Sequence, residues 1–264
     1  VPPLPLSIAI VCKNNRASLI PVVESIRGLA AEIVAVDSGS TDGTIELLES
    51  IGARIVRTEW KGHIATKQMA LELATQPWVL SIDSDEPVLP DLAASIRSAL
   101  ERNDPAVAGY RLIRKVWYFD EPLNHAWQPE WRLRLVRAGK AKWGGVNPHD
   151  KLDVLPGAGR VEDLSGTLRH DSFINMADYL SKQVNLSRIS AESLYAEGKR
   201  GSYARLLVSP AAAFFKQIAA RSAWCDGWRG WCAAGATAVA TAMKHLILIE
   251  LTNRKNVSGK GSAN

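Results

Sequence analysis

The sequence predicts an α/β fold, a mainly parallel sheet flanked by helices and followed by a C-terminal helical extension. Three observations carry this prediction. Short apolar runs rich in Ile and Val alternate with stretches of helical periodicity from Leu6 to Glu101. The segments between those runs are long enough for right-handed crossovers, which place strands in parallel and cover the sheet on both faces. From Asn175 the periodicity is helical almost to the end. At 264 residues, with 47% hydrophobic and 22% charged residues, the chain can bury a sizeable core, and disordered and collagenous classes are excluded.

Leu6–Cys12 reads as the first strand, and Leu19, Val22, Val23, Ile26, Leu29 and Ala30 then recur at helical spacing. Ile33–Asp37 is a second buried strand. Asp42 is placed to cap a helix through Ile51, and Gly52 supplies its left-handed stop. Arg54–Arg57 returns as strand, His63–Thr75 as helix, Trp78–Ile82 as strand, and Leu89–Glu101 as a helix with Leu92, Ile96, Ala99 and Leu100 on its apolar face. After residue 105 the pattern changes. Val107–Val116 and Arg132–Arg137 are two-sided strands of a mixed-sheet region, with Leu133 and Leu135 on one face and Arg132 and Arg134 on the other. The helical part should break at Gly198, Gly201, Pro210 and Asp226–Gly230, and fray along Asn253–Asn264.

The charge is unevenly distributed. The net charge is +5, yet residues 198–264 hold ten basic and two acidic residues, so the tail carries +8 and the rest −3. Such a field at one end points to an anionic surface met by that end. Three cysteines, Cys12, Cys225 and Cys232, are too few and odd in number for a disulfide framework, which implies a reducing compartment. The Pro-rich start lacks a secretory pattern, and a cytosolic protein is expected. Trp231–Leu251 is apolar but carries Lys244 and His245, and is not read as a membrane span.

In an open parallel sheet, ligands bind beyond the carboxyl ends of the strands. Those ends are polar here: Cys12-Lys13-Asn14-Asn15, Asp37 through Gly43, and Asp83-Ser84-Asp85-Glu86. Two carboxylates flanking one residue can divide their work between a ribose hydroxyl and an Mg²⁺ or Mn²⁺ ion. An isolated D-x-D is as readily a solvated turn; placement after a buried strand, alongside other polar strand ends, distinguishes this one. Asp37 closes an apolar strand, where an ionised carboxylate needs a partner such as a pyrimidine imide or a ribose hydroxyl. No G-x-G-x-x-G follows the first strand and no P-loop pattern occurs, so a nucleotide would be held by side chains.

Together these pieces resemble a family 2 glycosyltransferase of the GT-A fold. The resemblance runs through Lys13-Asn14-Asn15, Val36–Thr44, Trp60–Gly62, Ser81–Glu86, Pro129–Leu135, His149-Asp150, Leu168–His170 and Asp226–Gly230, covering about residues 6–251. Val36–Thr44 and Asp226–Gly230 are most similar to bacterial lipopolysaccharide core β-1,4-glucosyltransferases. The resemblance implies a GT-A catalytic domain over 1–174, with a nucleotide-binding half 1–105 and an acceptor half 106–174. A basic, membrane-associating helical extension over 175–252 and a flexible tail 253–264 would follow.

It further implies metal-dependent, inverting transfer from a nucleotide sugar, UDP-glucose. By motif position Asp37 would contact the uracil and Asp83, next to Ser84, the ribose. Asp85 would bind the metal with His170, Lys67 would lie near the diphosphate, and Asn14 would join the nucleotide site. Met69 stands where the family commonly has Asn. The acceptor hydroxyl needs a base. Glu130 is the candidate and Asp150 the runner-up, with a salt bridge to Arg132 or Arg134 as the alternative role for Glu130. His170 could instead be a histidine tucked against the helical region.

Nine tryptophans are present, and Trp117, Trp127, Trp131 and Trp143 fall where the acceptor should lie. Leu206, Leu207, Phe214, Phe215, Ile218, Trp224, Trp228 and Trp231 are interspersed with Arg205, Lys216, Arg221 and Arg229, a pattern suited to a membrane interface or to a helical hairpin packed on the sheet. The implied acceptor is a membrane-anchored glycolipid, at the cytoplasmic face of the inner membrane. Two rival readings are a polyprenyl-phosphate acceptor and nucleotidyl transfer. Nucleic-acid binding, the non-enzymatic rival, has no helix-turn-helix, zinc or RNP-type pattern behind it.

Overall fold

The computed structural model describes residues 2–146 and 149–258. It divides into two units, one of residues 2–116 and 129–171, the other of 117–128 and 172–258. The boundary after Asp171 lies close to the expected 174, but 117–128 goes with the helical unit, interrupting the expected acceptor half.

The first unit alternates β1 (Leu4–Cys12), α1 (Arg16–Ile26), β2 (Ala30–Asp37), α2 (Thr44–Glu49), β3 (Arg54–Arg57), α3 (His63–Leu73), β4 (Trp78–Asp83) and α4 (Pro90–Arg102). Then follow β5 (Val107–Tyr118), β6 (Glu121–Pro122), β7 (Trp131–Arg137), β8 (Ala141–Val146), β9 (His149–Val154) and β10 (Arg160–His170). The sheet order is β10-β5-β7-β4-β1-β2-β3. β4, β1, β2 and β3 are parallel, and β7 runs antiparallel to both neighbours. The near-continuous apolar runs follow from burial on both faces. Ile8, Ile10, Leu80 and Ile82 pack with Leu19, Val22 and Ile26 of α1 and Leu92 and Ile96 of α4. Ala9, Val36 and Val79 pack on the other side with Ala70 and Leu71 of α3 and with Trp143 and Leu152, which face each other across the β8–β9 hairpin. That hairpin, which the periodicity did not reveal, takes the place of a helix as part of the cover.

Some local expectations differ. Leu29 and Ala30 are not helical: α1 stops at Ile26, and β2 begins at Ala30. Gly43, not Asp42, is the cap residue of α2. Asp42 instead accepts hydrogen bonds from the Thr44 amide (3.1 Å) and the Arg16 amide (3.0 Å), tying the starts of two helices together.

The second unit comprises the 117–128 segment, α5 (Met176–Ala196), α6 (Tyr203–Phe215) and α7 (Gly227–Ser258). Pro210 lies inside α6 and does not end it; a proline removes one helical N–H bond, which the remainder of this helix tolerates. The chain reverses at Ser222–Asp226. Asp226 accepts from three successive backbone amides, Asn124 (3.0 Å), His125 (3.0 Å) and Ala126 (2.8 Å), and Arg229 Nε donates to the Tyr118 carbonyl (3.0 Å). Gly227 has φ +61°, and a Cβ on Gly230 would sit 1.7 Å from the Ala223 carbonyl oxygen. The Asp226–Gly230 motif is therefore a clasp on the 118–126 segment. Trp127 is part of the same unit's interior, stacked on Tyr179 at 5.2 Å with its indole N–H donating to Thr237 (2.9 Å).

Helices α5 and α6 pack along α7, where Ala233, Ala234, Ala236 and Leu248 are buried. Residues Ala223–Arg254 are long and apolar enough to cross a membrane by length and composition, with 28% of the most apolar window buried. α7 continues past Asn253 to Ser258, so the start of the expected frayed tail is helical; residues 259–264 lie outside the described residues.

Candidate active site

The carboxyl ends of β1, β2 and β4 lie side by side, with Cys12 in register with Asp37 and Val11 with Asp83. The chain crosses from one side of β1 to the other here, which opens the crevice where such sheets bind ligands.

Asp37 is fully buried. Its carboxylate accepts from the Gly39 amide (2.9 Å), the Ser40 amide (3.0 Å) and the Ser40 hydroxyl. Burial acts to raise its pKa, but these hydrogen bonds outweigh burial and lower it. The partner that a buried carboxylate requires thus comes from its own loop. Asn14, at φ +53°, binds that loop from the other side, its side-chain oxygen accepting from the Thr41 amide (2.8 Å) and its own amide donating to Ser40 Oγ (2.9 Å). Cys12 lies beneath, and burial, with the Asp37 charge, pushes its thiol up to about 12.

Asp83 meets two cations, Lys67 Nζ (2.7 Å) and Arg134 Nη2 (3.0 Å). Burial opposes its ionisation, but Arg134 and then Lys67 hold it well below the usual carboxylate range. Lys67 also reaches Asp150 at 2.8 Å and lies 4.8 Å from the Trp143 ring centre. Glu86, fully buried, accepts from Arg134 (2.7 Å), Arg114 (2.8 Å) and the Asp83 amide (3.0 Å). Arg114 grips Glu130 with two hydrogen bonds (2.7 and 3.0 Å), and Arg132 reaches the same carboxylate at 2.6 Å. Asp150, Lys67, Asp83, Arg134, Glu86, Arg114, Glu130 and Arg132 form one chain of alternating charge.

Asp85 stands beside this chain but outside it. Among the described residues its ion-pair neighbour is His170, with Nε2 3.6 Å from Oδ2. Burial and then the charges of Asp83 and Glu86 push Asp85 up to about 7. Burial and the Arg114 charge bring His170 down to about 4, so its imidazole is neutral at physiological pH. His170 is held here by backbone lacing: the Asp171 amide donates to the Asp85 carbonyl (2.9 Å) and the Arg169 amide to the Pro87 carbonyl (3.0 Å). Its Nδ1 is buried without a partner.

No group of three His, Cys, Asp or Glu forms a closed cage among the described residues. A carboxylate starved of positive charge next to a neutral imidazole nevertheless fits an Mg²⁺- or Mn²⁺-type ion. Such ions bind through one or two protein ligands and leave other positions to water and phosphate.

Comparison with known proteins bears on this arrangement. The profile described as Glycosyl transferase family 2 matches residues 7–152. The lipopolysaccharide core biosynthesis glycosyltransferase LpsC of Rhizobium meliloti (strain 1021) is 32% identical over 88% of this chain and 87% of its own. The chain belongs to glycosyl transferase family 2. A glycosyltransferase of Rickettsia felis is 26% identical, covering 98% of this chain and 94% of its own. Among solved structures, the mannosyltransferase PcManGT of Pyrobaculum calidifontis, in complex with GDP-mannose and Mn²⁺, superposes with a TM-score of 0.52 at 16% identity, over 92% of this chain and 87% of that one. The fold of this family 2 glycosyltransferase is GT-A.

The sequence-derived candidates divide accordingly in the family 2 enzyme. Asp83, Asp85, Lys67, Asp150 and His170 converge at the carboxyl end of β4, with Ser84 buried in the same turn. Asn14 and Asp37 are joined through their own loops. Glu130 departs from its expected role as base. Burial would raise its pKa, but Arg114 and then Arg132 bring it down to about 2, leaving little basicity. Of the two arginines suggested as ion-pair partners, Arg132 binds Glu130, whereas Arg134 binds Asp83 and Glu86. The expected tryptophan cluster is divided. Trp131 and Trp143 line one cavity of about 720 Å³, while Trp127 belongs to the other unit.

Glu86, Arg114 and Arg134 were missed as site residues. The available signal was the pair of arginines on the face of β7 opposite Leu133 and Leu135, together with the third acid in Asp83-Ser84-Asp85-Glu86.

Proposed function

We propose that this glycosyltransferase moves a hexose, glucose from UDP-glucose, with inversion onto a sugar hydroxyl of a membrane-anchored glycolipid such as the lipopolysaccharide inner core. The observation that carries the proposal is Asp85, the one acidic side chain of the Asp83–Glu86 turn without a lysine or arginine partner among the described residues, set 3.6 Å from neutral His170. Asp85 and His170 would hold the divalent cation, Mg²⁺ or Mn²⁺, which when bound offsets the charge of a diphosphate leaving group. Asp83 and Ser84 would face the ribose, and Lys67 the diphosphate. The stitched loops of Asn14 and Asp37 would receive the uracil. The lipopolysaccharide acceptor is supported by the name of the Rhizobium relative.

In-line attack needs a proton acceptor beside the sugar hydroxyl. We assign it to Asp150 ahead of Glu130. Asp150 lines the cavity and has the single ion-pair partner Lys67, which holds its pKa down against burial. Glu130 is spent on two guanidinium groups, which it positions.

Membrane attachment at the cytoplasmic face is supported by the second unit, where Leu207, Val208, Phe215, Trp224, Trp228 and Trp231 are each more than half exposed. Arg205, Lys216, Arg221 and Arg229 are interspersed with them in the sequence. Apolar and aromatic side chains beside basic ones suit an anionic lipid interface.

The test is titration calorimetry with UDP, UDP-glucose, UDP-galactose and GDP-mannose, each with and without Mn²⁺, followed by transfer to truncated lipopolysaccharide. Metal-dependent binding of UDP-glucose in preference to the others is the expected result, with Asp85→Ala abolishing it. Asp150→Asn should retain UDP binding and lose transfer. An absence of nucleotide binding under every condition would overturn the proposal.

A further inference from the structure

The cavity beside the charge chain has a composition that hexose transfer alone does not require. Its volume, about 720 Å³, lies within the range of small-molecule sites, roughly 300–1,000 Å³. Six of its lining side chains are basic and three acidic. A concave wall with such an excess concentrates anions.

The basic groups fall into two classes. The inner ones, Lys67, Arg114 and Arg134, have side chains no more than 13% exposed and are committed to Asp83, Asp150, Glu86 and Glu130. The outer ones, Arg111, Arg132 and Lys151, are 48%, 39% and 69% exposed. Arg111 pairs with Asp163 and Lys151 with Asp153, both exposed carboxylates. Arg132 is the outer of two guanidinium groups on Glu130. Exposed pairs contribute only ~0–1 kcal/mol, so a ligand anion can replace the carboxylate at little cost.

Between these cations stands Trp131, 38% exposed, with the Arg111 guanidinium 5.6 Å from its ring centre. Its indole offers an apolar face suited to the C–H surface of a sugar ring, next to guanidinium groups suited to paired oxygens. Strand pairing places Trp131 opposite Ile113 and Arg132 opposite Leu112, so the cluster is built on adjacent strands rather than on a loop. The cavity also reaches Lys67, Asp83 and Asp150, where transfer is proposed.

We infer that this cavity is an acceptor subsite for a sugar carrying an anionic substituent, a phosphate or a carboxylate, held by Arg111 and Arg132 with the sugar ring against Trp131. The inference rests on the glycosyltransferase reading and adds the chemical class of the acceptor. The enzyme would select acidic sugars because a neutral one leaves the outer arginines to water.

The test follows tryptophan fluorescence and heat of binding for the full chain with glucose 6-phosphate, glucuronate, methyl glucoside and inorganic phosphate. The two charged sugars separate the phosphate source from the carboxylate source. At least one should bind about tenfold or more tighter than methyl glucoside and tighter than inorganic phosphate, and Arg111→Ala and Arg132→Ala should each weaken it by about tenfold. Arg111→Lys should restore part of the loss. UDP binding by the same variants should be unchanged, which shows that they fold. Equal binding of neutral and charged sugars, or arginine variants that bind charged sugars as well as the parent, would overturn the inference. So would a lack of sugar binding at millimolar concentration. Binding of the charged sugar without any binding of nucleotide would uphold the subsite and refute the transferase reading, so the two failures are distinguishable.

Discussion

Glu86 offers a direct test of the charge chain behind the site. Its carboxylate is fully buried and receives Arg134 at 2.7 Å, Arg114 at 2.8 Å and the Asp83 amide at 3.0 Å. Glu86→Gln keeps the shape but removes the charge that compensates two buried guanidinium groups, and turns one oxygen acceptor into a donor facing donors. Breaking a buried pair from one side costs about 3–5 kcal/mol, because the remaining charge is left uncompensated. For a protein of this size each kcal/mol moves the melting temperature by about 2–4 °C, so a fall of about 6–20 °C is expected. Thermal unfolding followed by circular dichroism measures it. Asp153→Asn is the control: it breaks the Lys151 pair, whose side chains are 69% and 58% exposed, and should cost ~0–1 kcal/mol. A second substitution, Arg134→Met, should recover part of the Glu86→Gln loss by removing one stranded charge. If Glu86→Gln costs no more than the control, or the two losses simply add, Glu86 does not hold the arginines as described.

Other variants probe the remaining parts of the molecule. Asp85→Asn removes repulsion among Asp83, Asp85 and Glu86, so the metal-free protein should melt several degrees higher, while the rise in melting temperature that Mn²⁺ gives the parent should vanish. Glu130, lowered from 4.5 to about 2, contributes stability that is present above its unfolded pKa and lost as pH falls through its folded one. The penalty for Glu130→Gln in urea unfolding should therefore be about 2–3 kcal/mol at pH 6 and shrink steadily from about pH 4.5 toward pH 2. Asp226→Asn weakens the clasp on three amides, and hydrogen exchange at Asn124, His125 and Ala126 should accelerate about tenfold or more; unchanged protection would contradict that role. Replacing Leu207 and Phe215, 76% and 63% exposed, by serine should reduce flotation with anionic vesicles and leave the melting temperature within about 2 °C, since exposed substitutions rarely exceed ±0.5 kcal/mol.

The sequence by itself determined the alternation of strand and helix, because buried parallel strands are apolar throughout and their crossover helices are apolar every third or fourth residue. It also determined which residues lie at the carboxyl ends of β1, β2 and β4, since the polar residues that end those runs have little room elsewhere. That was enough to bring Asp37, Asp83 and Asp85 to the crevice. Only the tertiary structure decided what each of those groups is paired with. Lys67 and Asp150 are 83 residues apart, and Arg134 and Glu86 are 48 apart. Such pairs depend on strand order and on a hairpin whose glycines and charges hide its period. Glu130 therefore read as a free carboxylate in the sequence and became a guanidinium-bound one in the fold. Asp85 read as one acid among several and became the one left without a lysine or arginine. A carboxylate's basicity and its appetite for a cation are set by the charges within a few ångströms, and the chain brings those together only by folding.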